Sequence, residues 1–73
     1  MTSEDLRAWH AAMGYTYDTA ARALGVSRAT YADWVAGRSR TTGKPVQPSR
    51  AVGLACAALA AGLGEWNSSP IPP

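Results

Sequence analysis

Between Arg28 and Asp33 the chain carries side chains able to read the edge of a base pair. Arg28 presents a planar fork of donors that matches the O6 and N7 acceptors of guanine. Ala29 and Ala32 offer methyl groups that fit against a thymine methyl and let a backbone approach closely. Asp33 could accept from the N4 amine of cytosine, or instead hold an arginine in place. Ser27 and Thr30 put hydroxyls on the flank, where phosphate oxygens would lie. Further on, Arg38, Arg40 and Lys44 fall in the irregular stretch RSRTTGKPVQ, residues 38–47. Their charges would supply the salt-dependent, sequence-independent part of an affinity for nucleic acid. The same residue types also occur on ordinary solvated faces, so placement has to decide.

Charge is distributed unevenly. Residues 22–50 hold Arg22, Arg28, Arg38, Arg40, Lys44 and Arg50 against Asp33 alone. The remainder holds Arg7 against Glu4, Asp5, Asp18 and Glu65, and the whole chain is only +2. A positive patch on one side of a small fold is the footprint of phosphate binding, with simple solvation of a loop as the plain alternative. Other chemistries find little support. With one His and one Cys among scattered carboxylates, no nucleophile–base pair and no metal set can be assembled. No enzyme, metal, cofactor or small-molecule substrate is expected. His10 reads as a packed or hydrogen-bonded residue and Cys56 as a small buried hydrophobe.

For residues 28–33 to be read outward they must stand on a helix held clear of the surface. The run Thr16–Gly37, TYDTAARALGVSRATYADWVAG, predicts that arrangement. Thr16 can cap a helix whose apolar face is Ala20, Ala21 and Leu24, and Gly25 can close it. Val26 plugs the turn, and Ser27 caps a second helix from Arg28 to about Ala36. That helix has Tyr31, Trp34 and Val35 on its buried side and Gly37 at its end. Two helices about a short Gly-containing turn form a helix-turn-helix, whose second helix enters the major groove in DNA-binding proteins.

The flanks complete an all-α domain of four helices. Ser3 to Met13 predicts a first helix with Ser3 as its cap and Leu6, Trp9 and Met13 as its inner stripe. Pro48 to Ala61 predicts the last, started by Pro48 or Ser49 and ended by Gly62. Its stripe Val52, Ala55, Cys56 and Leu59 should close the core over Trp34 and Leu6. Its second apolar stripe, with Leu54, Ala58 and Ala61, points to self-association, with one broad monomeric core face as the alternative. Trp66 is placed to pack on the core or on a second subunit. The domain is expected over residues 1–63, and residues 64–73 form a Pro-rich tail.

At 73 residues the chain is near the lower limit for a core without staples, and one cysteine rules out an internal disulfide. Met1 is followed by Thr-Ser-Glu-Asp rather than a leader pattern. The longest apolar run, Ala51–Leu63, falls short of the ~20 residues a membrane span needs. A cytoplasmic location is expected.

Gly14, the Ala20-Ala21 pair, Leu24-Gly25-Val26-Ser27, Trp34 and Gly37 stand at the signature positions of the Cro and phage-repressor superfamily, the XRE class. Residues 6–37 resemble that family's helix-turn-helix closely, and the likeness extends loosely to Gly62. The resemblance implies a repressor-like bundle with an irregular basic loop before its last helix. It also implies phosphate contacts at the start of the second helix, at Thr16 and at Tyr17, where the family usually has Gln. Many members pair an Arg on the first helix with a Glu just after the Trp. Here those places hold His10 and Val35, so packing is expected to replace the polar clamp. The Pro-Ser-Arg-Ala-Val opening of the last helix is similar to some small anti-CRISPR-associated autorepressors.

Two functions follow as expectations. The first is a sequence-specific repressor that binds double-stranded DNA as a homodimer on a palindromic operator. Arg28, Ala29, Ala32 and Asp33 would read bases, and Leu54, Ala58, Ala61 and Trp66 would join the subunits. A chain this short leaves no room for a ligand-sensing domain, which favours autoregulation. The second is an antitoxin-like protein-interaction module with secondary DNA binding.

Overall fold

The computed structural model describes residues 1–66, so the end of the expected tail, residues 67–73, lies outside the described part. Among the described residues there are four helices: α1 (Ser3–Met13), α2 (Tyr17–Leu24), α3 (Arg28–Ala36) and α4 (Arg50–Ala60). Among the described residues the only extended pairing is one antiparallel bridge between Arg38 and Pro45.

Local signals set the helix ends. The cap of α1 is Thr2, not the expected Ser3: the Thr2 hydroxyl accepts from the Asp5 amide at 3.0 Å. The Asp5 carboxylate returns the bond by accepting from the Thr2 amide at 3.0 Å. The Thr2 amide first, and then the Thr2 side chain, hold the Asp5 carboxyl below the usual carboxylate range. Ser3 is instead the first helical residue, buried with its hydroxyl unpartnered. Thr16 and Ser27 cap α2 and α3 as expected, each accepting from an amide three residues on at 3.1 Å.

At the end of α2 the chain must reverse within three residues. Gly25 takes φ +74°, a conformation a Cβ would penalise. It lets the Gly25 amide donate to the Arg22 carbonyl at 3.1 Å and the Val26 amide to the Ala21 carbonyl at 3.0 Å. Two of the carbonyls that α2 would leave open are thereby satisfied. Gly37 ends α3 in the same way, at φ +76°.

The last helix starts two residues later than a Pro48 start would place it, with Ser49 as its cap over the Val52 amide at 3.3 Å. A start at Pro48 would leave Gln47 as cap, and glutamine's longer side chain is not among the favoured caps. Pro48 is buried just ahead of the cap. At the far end, α4 stops at Ala60, and the Gly62 and Leu63 amides close it onto the Leu59 and Ala58 carbonyls.

The core is Leu6, Trp9, Ala20, Ala21, Tyr31 and Cys56, with Trp34, Val35, Val52 and Leu59 partly buried against it. The apolar stripe of α4 therefore faces inward, although its main packing partners are α1 and α2. The buried Trp9 indole donates to the Cys56 carbonyl at 3.1 Å, which fixes α4 across α1 without stranding the indole N–H. Burial pushes the Cys56 thiol up, away from a reactive thiolate.

Polar links seat α3 on α1, where packing alone was expected. The Arg7 guanidinium donates to the Val35 carbonyl at 2.7 Å, at the C-terminal end of α3 where its dipole favours a cation. The His10 ring nitrogen Nδ1 lies 2.7 Å from the Tyr31 hydroxyl. The clamp has changed its chemistry rather than disappeared.

Candidate nucleic-acid interface

Tyr31 sets the rotation of α3. Its side chain is wholly buried and meets Tyr17 edge-on with ring centres 5.7 Å apart. Burial, with Cys56 and Tyr17 adding to it, pushes its hydroxyl from 10.0 up to about 12. With Tyr31 turned inward, Arg28, Ala29 and Thr30 are exposed and Ala32 and Asp33 are half-buried. Thus the first turn of α3 is the open part of the expected reading face, and its later residues are partly screened.

Arg28 is held from two sides. Its Nε lies 3.1 Å from Asp18 Oδ1, and its guanidinium carbon lies 5.7 Å from the centre of the Tyr17 ring. Both members of the ion pair are about two-thirds exposed (67% and 69%), so the guanidinium is reachable from solvent. Asp33 takes the second of its two expected roles: Arg40 Nε donates to Asp33 Oδ1 at 3.1 Å. The Asp33 side chain is only 21% exposed in this pair.

That contact brings the basic stretch onto α3. Residues 38–45 fold back as a small hairpin rather than trailing as a linker. The Ser39 amide donates to the Lys44 carbonyl at 2.9 Å, and the Gly43 amide to the Ser39 carbonyl at 2.8 Å. At its base the Val46 amide donates to the Gly37 carbonyl at 3.1 Å. Arg38, Arg40 and Lys44 are all exposed on it. Thr16, Ser27 and Thr30 are exposed as well, with their hydroxyls engaged at the N-terminal caps of α2 and α3. Tyr17 is half-buried beneath Arg28.

The match to known proteins falls on this unit. A family model described as Helix-turn-helix matches residues 6–47, which takes in most of α1, all of α2 and α3, and the basic hairpin. The chain belongs to the helix-turn-helix family, in the Cro and repressor-like superfamily. As a member of that family it is a DNA-binding transcription regulator. No curated protein and no solved structure matches the chain significantly.

The family match stops before α4. There Leu54 is 59% exposed and Trp66 87% exposed, Ala61 is exposed, and Ala58 is half-buried. Ala58 lines a shallow groove of about 230 Å³ with Ala23, Leu24, Ala55, Leu59 and Leu63. No described helix is long and apolar enough to cross a membrane. Asp18 and Arg7 were missed as contributors at the sequence level. Asp18 stands ten positions from Arg28, and only the meeting of two helix starts across the turn makes them neighbours.

Proposed function

We propose that this helix-turn-helix protein is a transcriptional repressor that binds a palindromic operator as a homodimer and controls its own promoter. The observation that carries the reading is an exposed arginine on the first turn of α3, beside an ordered basic hairpin tied to the same helix. Arg28 would fork onto guanine, while Ala29 and Ala32 would admit close approach to a thymine methyl. Thr16, Tyr17, Ser27 and Thr30, with Arg38, Arg40 and Lys44, would grip phosphates on either side. Leu54, Ala58, Ala61 and Trp66 would join two subunits so that paired α3 helices meet half-sites about one helical turn apart. Residues 1–63 would form the DNA-binding domain.

The decisive test is binding of the purified protein to a duplex selected from a random-sequence pool, and to the DNA upstream of its own gene. Arg28→Ala should reduce discrimination between the selected duplex and random DNA by about 1–3 kcal/mol. Equal loss on both would make Arg28 a phosphate contact, and no binding by the wild type would end the reading. Sedimentation with Leu54→Asp tests the dimer, which the charge should split. The exposed Leu54, Leu63 and Trp66 favour one other reading, an antitoxin-like module that covers a partner protein with the α4 face. Failure to retard any DNA would support that alternative.

A further inference from the structure

Two carboxylates lie on the side of the molecule assigned to phosphate, and simple electrostatics counts both against binding there. Asp18 opens α2 beside the first turn of α3, and Asp33 lies on α3 beside the basic hairpin. Each stands against an arginine, and in both pairs the contact is made through Nε at 3.1 Å. Nε is the inner nitrogen of the guanidinium. The outer edge, Nη1 with Nη2, is one that can fork onto guanine or a phosphate.

We propose that Asp18 and Asp33 are positioning residues: they hold Arg28 and Arg40 by the inner edge and so aim the outer fork at DNA. This rests on the reading of α3 and the hairpin as the DNA-contacting surface. A lone exposed ion pair fixes a long side chain weakly. Arg28, however, has the Tyr17 ring beneath it as well as Asp18 beside it, so two surfaces limit its rotamers. Arg40 gains by a different route. Its partner Asp33 is largely covered and rooted in α3, and the hydrogen bond fixes the hairpin relative to the helix. A flexible arginine must be ordered when it binds, and an arginine already ordered avoids that cost. The acids therefore act through the arginines and touch no nucleic acid themselves.

The proposal and ordinary electrostatics predict opposite signs. Removing a carboxylate near phosphate should tighten binding to every DNA if the acid is merely solvated. If Asp18 positions Arg28, Asp18→Ala should lower the ratio of selected-duplex to random-DNA affinity by about fivefold or more. Asp18→Glu, which keeps the charge, should recover part of that ratio. In an Arg28→Ala background the same Asp18→Ala change should no longer lower the ratio and should tighten both DNAs alike. Asp33→Ala should weaken both DNAs and flatten the salt dependence, as release of Arg40 requires. Alanine suits both helical positions, and thermal melts verify the fold of each variant.

If Arg28→Ala costs specificity while Asp18→Ala and Asp33→Ala only tighten binding, the positioning role is overturned and the reading of α3 survives. If Arg28→Ala leaves the ratio unchanged, the reading of α3 fails and the proposal goes with it.

Discussion

Replacing Tyr31 by Phe should make the protein less stable at neutral pH and more stable in alkali. The Tyr31 side chain is wholly buried, and its hydroxyl lies 2.7 Å from His10 Nδ1. Phenylalanine keeps the ring packed against Tyr17 but leaves the half-buried His10 nitrogen without that partner, at a cost of about 1 kcal/mol. The hydroxyl also titrates. In the unfolded chain it loses its proton near 10.0, whereas burial in the native fold raises that to about 12. Between those values only the unfolded state ionises freely, so a contribution intact below pH 10 is lost as pH climbs toward 12. A shift of this size is worth about 3 kcal/mol. Phenylalanine has no proton to lose, so comparing the two proteins isolates the effect from other alkaline groups. The wild type should lead by about 1 kcal/mol at neutral pH. That lead should vanish near about pH 11 and reverse above it. Urea unfolding followed by far-UV circular dichroism, run on both proteins at a series of pH values, measures the difference. A difference that stays constant across the alkaline range would refute the burial of a neutral phenol at the root of α3.

Two further changes probe the elements around α3. Gly37→Ala must adopt φ +76° with its Cβ 3.2 Å from the Ser3 hydroxyl oxygen, which has to shift by a few tenths of an ångström. The expected cost is about 1–2 kcal/mol, or roughly 5–10 °C in melting temperature, and Ser3→Ala in the same chain should return part of it. Arg40→Ala should weaken binding to selected and random DNA alike and make the slope of log affinity against log salt shallower by about 1. A change in sequence preference instead would place Arg40 against bases.

The helices could be read directly from the residues because their determinants are local. A cap acts over three positions, an apolar stripe over seven, and a glycine at positive φ on its own backbone. Where the reading slipped, a longer-range contact chose between two locally acceptable answers. Thr2 and Ser3 are both competent caps, but Ser3 packs against Gly37 at the end of α3, and Thr2 is left to take the cap. At α4 the two openings the sequence allows, Pro48 or Ser49, resolve to Ser49 as cap on a local ground, since a start at Pro48 would leave Gln47 as the cap.

The site was harder to read because its decisive contacts join residues that no short window contains. Arg7 reaches Val35 across 28 positions and His10 reaches Tyr31 across 21. The resemblance places the family's charge pair at positions 10 and 35, and because both partners have changed together, to His10 and Val35, packing is expected there. The structure answers with Arg7, one turn of α1 before His10, bonding to the main chain of residue 35. A carbonyl serves as acceptor whatever the side chain, so Val35 is free to pack against the core while the cation still meets the end of α3. The same logic explains Asp33. On an isolated helix an acid beside an arginine-rich loop reads equally as a base contact or as a strut. The hairpin that folds residues 38–45 back sets Arg40 against Asp33, which favours the strut.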